Sequence, residues 1–325
     1  MTFDTLPLWA NWVLAGIAIF MIAGGAQTVV ETGARIAERL RVSELVVGLT
    51  LVAAGTSLPE FGVTLVAAFE EHPNISVGTI VGSNIFNLAF ILGGVALVRP
   101  IPTTRVLIRR DGSALILSTS LLLVLILGDL TLDRVDGIIL LCGLALYLGT
   151  VLTMGTIDWL DPGLQAVHGT REDGRRRLAV PRAVSSLLLG FALLAGGSHL
   201  LVNSAIPIAT SFGVSHWVIA VTVVAAGTSA PEFATSLVGV LRGRYDIGVG
   251  NAIGSDLFNL LGVLGLAGAL HPQVVDPGAR ASLLALAAMV ALVVIFARTG
   301  WRLSRWEGLT LVLIGLARWA LDYWR

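Results

Sequence analysis

Two nearly identical phrases carry the residues best suited to chemistry. Residues 52–61 read VAAGTSLPEF, and residues 224–233 read VAAGTSAPEF. Each sets a glutamate, Glu60 or Glu232, inside a long apolar run. A charged side chain at that depth costs about 2.5–3.5 kcal/mol on insertion scales, so it needs a partner. No arginine lies in either run, and a bound cation is the natural counter-charge. Thr56 and Glu60 are spaced i, i+4, and Ser57 and Glu60 i, i+3, which puts all three on one helix face. Thr228, Ser229 and Glu232 repeat the pattern. Pro59 has no N–H, so the carbonyl of Gly55 loses its usual donor; Pro231 does the same to Gly227. Hydroxyls, carboxylates and freed carbonyls are hard oxygen ligands of the kind that Na⁺ and Ca²⁺ take.

A second pair of phrases adds more oxygen. GSNIFNL occupies residues 82–88 and GSDLFNL residues 254–260. Ser83 and Asn87 share a face at i, i+4, as do Ser255 and Asn259. Gly82 and Gly254 are read as points where a neighbouring helix approaches closely. Serine and threonine in apolar helices often bond back to their own backbone, so any one of these hydroxyls alone would read as structural. The doubled set favours ligands. Asp256 stands where the first copy has Asn84, about 100° around the helix from Ser255. It reads either as a residue at the edge of the site or as a solvated helix-end charge.

The elements that position these residues are apolar helices. The chain is 325 residues long, 55% hydrophobic and 13% charged, half the charged fraction of about 25% usual in soluble domains. Its mean hydropathy is +0.87. Apolar stretches of about 20 residues, enough to cross a bilayer, recur along its whole length. Only helices or closed barrels satisfy their backbone in lipid, which makes these stretches helices. The reading is an all-α polytopic membrane protein with ten spans, at roughly 8–33, 43–69, 74–98, 108–128, 134–154, 183–208, 214–241, 246–270, 280–298 and 306–324. The first reads as a retained span rather than a cleaved signal. The lone cysteine, Cys142, excludes an intrachain disulfide. Zero net charge gives no basic patch for nucleic acid, and no nucleotide-binding motif is present. No Ser/His pair or HExxH motif suggests an enzyme, and no cofactor is expected.

All 21 basic residues are arginines, and 17 of them fall in connections on one side of the expected spans. By the positive-inside rule both termini face out and the polar loop 155–182 is cytoplasmic. This loop, containing REDGRRR, divides the chain into residues 1–154 and 183–325. The halves align at a constant offset of 172, without a gap, from residue 24 to residue 93. An offset spanning five helices inverts the second copy relative to the first. Charges agree: Arg35, Arg39 and Arg41 correspond to Pro207, Ser211 and Gly213. Inverted repeats with helix breakers at matching positions mark secondary transporters with a site near the midplane. Outside the motifs, Glu31 reads as snorkelling near the inner surface and His199 as a packing or hydrogen-bonding residue. Glu70, Glu71, Arg242 and Arg244 read as solvated span ends.

GTSLPEF with GSNIFN, and GTSAPEF with GSDLFN, resemble the α-repeats of the sodium/calcium exchanger family, within the calcium/cation antiporter superfamily, in its bacterial or archaeal form. The resemblance covers both repeats. It implies an inverted pair of five-helix repeats whose four central helices hold Na⁺ or Ca²⁺ alternately. Matched residue by residue, it places ion ligands at Thr56, Ser57, Glu60, Ser83, Asn87, Thr228, Ser229, Glu232, Ser255 and Asn259, with the backbone carbonyls of Ala53 and Ala225. Some relatives carry an aspartate at the position of Asn259; here the acid stands at Asp256, which leaves the coupling ratio open. The expected function is Na⁺/Ca²⁺ antiport in a prokaryotic cell membrane, with H⁺/Ca²⁺ exchange as the alternative and a cation channel further behind. Neither nucleic acid nor nucleotide is expected as a partner.

Overall fold

The structure, a computed structural model, describes residues 6–70, 72–160, 180–213 and 225–323. The chain is helical nearly throughout, as its apolar runs require. Helix α1 (Leu8–Leu40) runs two turns beyond its apolar segment before Arg41 ends it in a left-handed conformation. Hydropathy fixes where lipid ends, not where a helix does. Next come α2 (Glu44–Thr56) and α3 (Leu58–Phe69), bent by 49° at Ser57. The Ser43 hydroxyl caps α2 by accepting the Val46 N–H. The first copy continues with α4 (Pro73–Val98), α5 (Leu107–Leu127) and α6 (Arg134–Leu160).

Helix α7 (Val180–Ser211) opens the second copy, followed by α8 (Ala225–Thr228) and α9 (Ala230–Leu241). Then come α10 (Tyr245–Leu270), α11 (Ala279–Arg298) and α12 (Arg305–Tyr323). Among the described residues, seven helices are long and apolar enough to cross a membrane, or eight counting the bent α2–α3 pair. Residues 214–224, the start of one expected span, and the REDGRRR motif lie outside the described residues.

Burial separates a centre from a rim. In α4 and α10 the most apolar stretch is 72% and 78% buried, against 22–39% for the other spanning helices. Large apolar side chains on the outer helices, such as Phe20, Val124, Leu146 and Trp306, stay exposed, as lipid-facing surface should. Cys142 is also exposed. Helices α1 and α7 pack along each other through small residues. A methyl group on Gly25 would sit 2.8 Å from the Gly190 carbonyl oxygen, and one on Gly197 2.8 Å from Ile22.

Four two-residue strands form two antiparallel ribbons. Strand β1 (Ile101–Pro102) pairs with β4 (Arg302–Leu303), and β2 (Thr131–Leu132) with β3 (Gln273–Val274). Each ribbon takes one strand from each copy. The centre also holds π-helical turns at Gly48–Val52, Asn87–Leu92 and Phe258–Val263, which reset the helix faces around the motifs.

The close-approach reading holds at Gly254: a methyl there would lie 2.6 Å from the Leu49 carbonyl oxygen and 2.8 Å from the Ala53 Cβ. Its counterpart Gly82 has nothing within 4 Å among the described residues; Val221, which the repeat offset sets against it as Leu49 is set against Gly254, lies outside them. Gly82 borders a cavity of about 740 Å³ that also touches Gly78, Thr79, Ser83 and Thr228.

Candidate ion site

Both VAAGTS-x-PEF phrases break a helix at the serine. Ser57 has φ −79°, ψ 5°, and Ser229 φ −89°, ψ 9°, with Pro59 and Pro231 in the first turn of the helix that follows. A proline tolerates that first turn because its missing N–H is unneeded there. The break brings the hydroxyls and Glu60 or Glu232 against α4 and α10. All four helices meet at the centre, and Thr56, Ser57, Glu60, Ser229 and Glu232 are almost wholly buried.

The copies interlock reciprocally. The Ser57 hydroxyl donates to Glu232 Oε1 at 3.1 Å, and the Ser229 hydroxyl to Glu60 Oε1 at 3.2 Å. The Thr56 hydroxyl donates to Asn251 Oδ1 at 3.0 Å and lies 3.4 Å from the Ser255 Oγ. Ser83 Oγ sits 3.5 Å from Ser229 Oγ. Asn87 Nδ2 donates to Asp256 Oδ1 at 2.9 Å, and Asn259 Nδ2 to Asn84 Oδ1 at 3.1 Å. Thr228 is half-buried and faces the 740 Å³ cavity together with Ser83. The Ala53 carbonyl accepts the Ser57 N–H at 3.1 Å and the Thr56 hydroxyl at 3.3 Å. Ala225 opens α8 on the matching stretch.

Five buried oxygens at this centre lack a hydrogen-bond donor among the described residues: Glu60 Oε2, Glu232 Oε2, Asn87 Oδ1, Asn259 Oδ1 and Asp256 Oδ2. All are acceptors. A buried acceptor left unsatisfied costs about 1–3 kcal/mol, more if charged. Among the described residues no ion pair reaches Glu60 or Glu232. A hard cation fits the Glu60, Glu232, Asn87 and Asn259 oxygens of this set, because it supplies positive charge where the described residues supply none. Among the described residues there is no group of three or more His, Cys, Asp or Glu side chains able to hold a metal. Three buried acids, Glu60, Glu232 and Asp256, stand among hydroxyls and amides at this centre.

Several sequence readings change. Asp256 is not solvated; it is fully buried and bonded to Asn87. The Gly227 carbonyl that Pro231 leaves without its usual donor accepts a hydrogen bond from the Ser198 hydroxyl, so it is not left open for an ion. Copy one has Ala26 at the Ser198 position, which offers no such donor. Arg242 is exposed and Arg244 partly so, as span ends should be, and both are also paired: Arg242 bonds Glu31 at 2.6 Å, and Arg244 bonds Glu44. Glu31 also meets Arg35 at 3.5 Å, so it is paired as well as snorkelling. His199 is exposed beside Asn203.

Two residues escaped the sequence reading. Asn251 receives the Thr56 hydroxyl and donates to the Glu232 carbonyl and to Ser236 Oγ, both at 3.1 Å. Its signal was present: residues 251, 255 and 259 form one i, i+4, i+8 polar stripe. Asn84 donates to the Asp256 carbonyl at 3.0 Å, and only its alignment with Asp256 pointed to it.

A family profile described as sodium/calcium exchanger protein matches residues 10–153 and 182–316. The chain belongs to the sodium/calcium exchanger family. It is 37% identical over 310 residues to a putative antiporter, CaxA, of Alkalimonas amylolytica, covering 93% of this chain and 94% of that one. It is 29% identical over 345 residues to the sodium/calcium exchanger MaX1 of Methanosarcina acetivorans, covering 94% and 97%. A solved structure of the sodium-calcium exchanger NCX_Mj, soaked with Na⁺ and Sr²⁺, superposes with a TM-score of 0.81 at 26% identity, over 97% of this chain and 99% of that one. The Escherichia coli inner membrane protein YrbG is 35% identical over 320 residues. Membership makes the chain an integral membrane antiporter of cations, and not an enzyme.

Proposed function

We propose that this exchanger moves Ca²⁺ against Na⁺ through one central site that opens to each side of the membrane in turn. The observation that carries the reading is the reciprocal pair of bonds, Ser57 to Glu232 and Ser229 to Glu60, set among acceptor oxygens that lack protein donors. The proposed ligands are Thr56, Ser57, Glu60, Ser83 and Asn87 with Thr228, Ser229, Glu232, Ser255 and Asn259, and the carbonyls of Ala53 and Ala225. Ala53's carbonyl already accepts the Ser57 N–H at 3.1 Å.

In this reading ten spans form two inverted five-helix repeats, residues 1–154 and 183–325, joined by a cytoplasmic linker at 155–182, with both termini outside. The matching helix breaks at Ser57 and Ser229 and the two ribbons pairing strands across the copies support it. Three buried carboxylates, Glu60, Glu232 and Asp256, have no basic partner among the described residues and are also the groups a proton would use, which keeps H⁺/Ca²⁺ exchange as a second reading. The test is Ca²⁺ uptake into proteoliposomes loaded with Na⁺. Uptake that collapses without the Na⁺ gradient is the expected result. Uptake indifferent to Na⁺ but driven by a pH gradient would replace it with the second reading.

A further inference from the structure

The orientation of two ligating carboxamides is set from across the repeat boundary, and hydrogen-bond polarity fixes it. The Asp256 main-chain carbonyl can only accept. The Asn84 atom 3.0 Å from it is therefore Nδ2, which leaves Asn84 Oδ1 facing Asn259. That oxygen also only accepts, so the Asn259 atom 3.1 Å away is Nδ2, and Asn259 Oδ1 points elsewhere, with no protein donor. In the same way Asp256 Oδ1 takes Asn87 Nδ2 at 2.9 Å and leaves Asn87 Oδ1 unpartnered. One residue stands at the head of both chains: its carboxyl orients Asn87 directly, and its backbone orients Asn259 through Asn84.

Resting on the ion-site reading above, we infer that Asp256 is a positioning residue. It holds the Asn87 carboxamide oxygen toward the transported cation and does not ligate that cation itself. Three observations carry this. Asp256 is fully buried, one residue past Ser255 and about 100° around the helix from it. Its Oδ1 is already taken by Asn87 Nδ2 at 2.9 Å, and only Oδ2 has no partner among the described residues. Its counterpart Asn84 does the same work for Asn259 with a neutral amide, so the task needs an acceptor oxygen and not a charge. Partners that orient a metal ligand are typically worth about 10- to 100-fold in affinity.

The test compares Asp256→Asn, Asp256→Ala, Asn87→Ala and the double variant Asn87→Ala/Asp256→Ala. Equilibrium ⁴⁵Ca²⁺ binding to purified full-length protein, the KM and Vmax of uptake, and melting temperature are measured for each. Asp256→Asn keeps an oxygen for Asn87 while placing an NH₂ where Oδ2 stood. It should bind Ca²⁺ within about 3-fold of the parent, whereas Asp256→Ala loses about 10-fold or more, chiefly in KM. In the Asn87→Ala background, removing Asp256 should add no more than about 2-fold. Asp256→Asn failing as badly as Asp256→Ala, or a full further loss in the Asn87→Ala background, would overturn the inference and make Asp256 a ligand. If Asp256→Ala does not fold, the Asp256→Asn result decides alone. A parent protein that binds neither Ca²⁺ nor Na⁺ would instead sink the ion-site reading.

Discussion

The contrast between Gly254 and Gly82 permits a direct test of alternating access. Gly254→Ala places a methyl 2.6 Å from the Leu49 carbonyl oxygen and 2.8 Å from the Ala53 Cβ, where ordinary contact begins at 3.4 Å. Helices α2 and α10 must part by several tenths of an ångström, and overpacking of this kind costs about 1–3 kcal/mol. On the proposed alternating-access reading, the opposite access state parts α2 and α10 at this face. The penalty then falls on one state alone and shifts their ratio by about 5- to 150-fold. Gly82→Ala meets no described residue within 4 Å and serves as the uncrowded comparison. The assay replaces Cys142 by alanine and introduces Thr79→Cys on the cavity wall. An impermeant thiol reagent then reports how often that wall is open. Labelling should slow in Gly254→Ala and hold in Gly82→Ala. Equal labelling in two folded variants would refute the claim that the Gly254 face parts in the opposite access state.

Other expectations follow from the same contacts. Ser57→Ala and Ser229→Ala each strip one hydrogen bond from a buried carboxylate, so uptake assays should show similar losses of about 10-fold or more in apparent Ca²⁺ affinity for the two. Glu60→Gln and Glu232→Gln should each abolish Na⁺-driven uptake; retained transport in both would end the site assignment. Asp111 is buried between the Arg110 guanidinium at 2.8 Å and the Tyr147 hydroxyl at 3.2 Å. Asp111→Leu should therefore cost about 3–5 kcal/mol in denaturation experiments, and Arg110→Leu/Asp111→Leu clearly less. Arg242→Gln, whose partner pair is 43% and 34% exposed, should change stability by less than about 1 kcal/mol.

The broad architecture was legible because lipid leaves the chain few options: long apolar runs become helices, and a proline beside a buried acid breaks one. The ten proposed ligand positions stood out in the sequence because they occur twice at one offset. What stayed hidden depends on which face of a helix meets which neighbour. Gly82 and Gly254 are indistinguishable as letters, yet one lines a cavity and the other packs on Leu49. Asp256 was misjudged because helix angle says where a side chain leaves its helix, not that Asn87 of the other copy waits there. The Gly227 carbonyl was counted as free because its acceptor role involves Ser198, 29 residues earlier in sequence. A one-dimensional reading finds what repeats and misses what crosses.

The exchange of serines between the two glutamates has a consequence for ancestry. Neither half holds a complete site: Glu60 depends on Ser229 and Glu232 on Ser57, and each small ribbon borrows a strand. On the proposed inverted-repeat reading, a single five-helix forebear would have worked as a pair of identical chains inserted in opposite directions. Such a chain must carry little arginine bias, so that the membrane machinery accepts it both ways. Fusion removes that constraint. Each half is then free to acquire a fixed orientation, as Arg35, Arg39 and Arg41 record in the first half and their uncharged counterparts Pro207, Ser211 and Gly213 in the second. Once orientation was fixed, the two copies could also diverge at a single letter, Asn84 against Asp256, without either having to serve both roles.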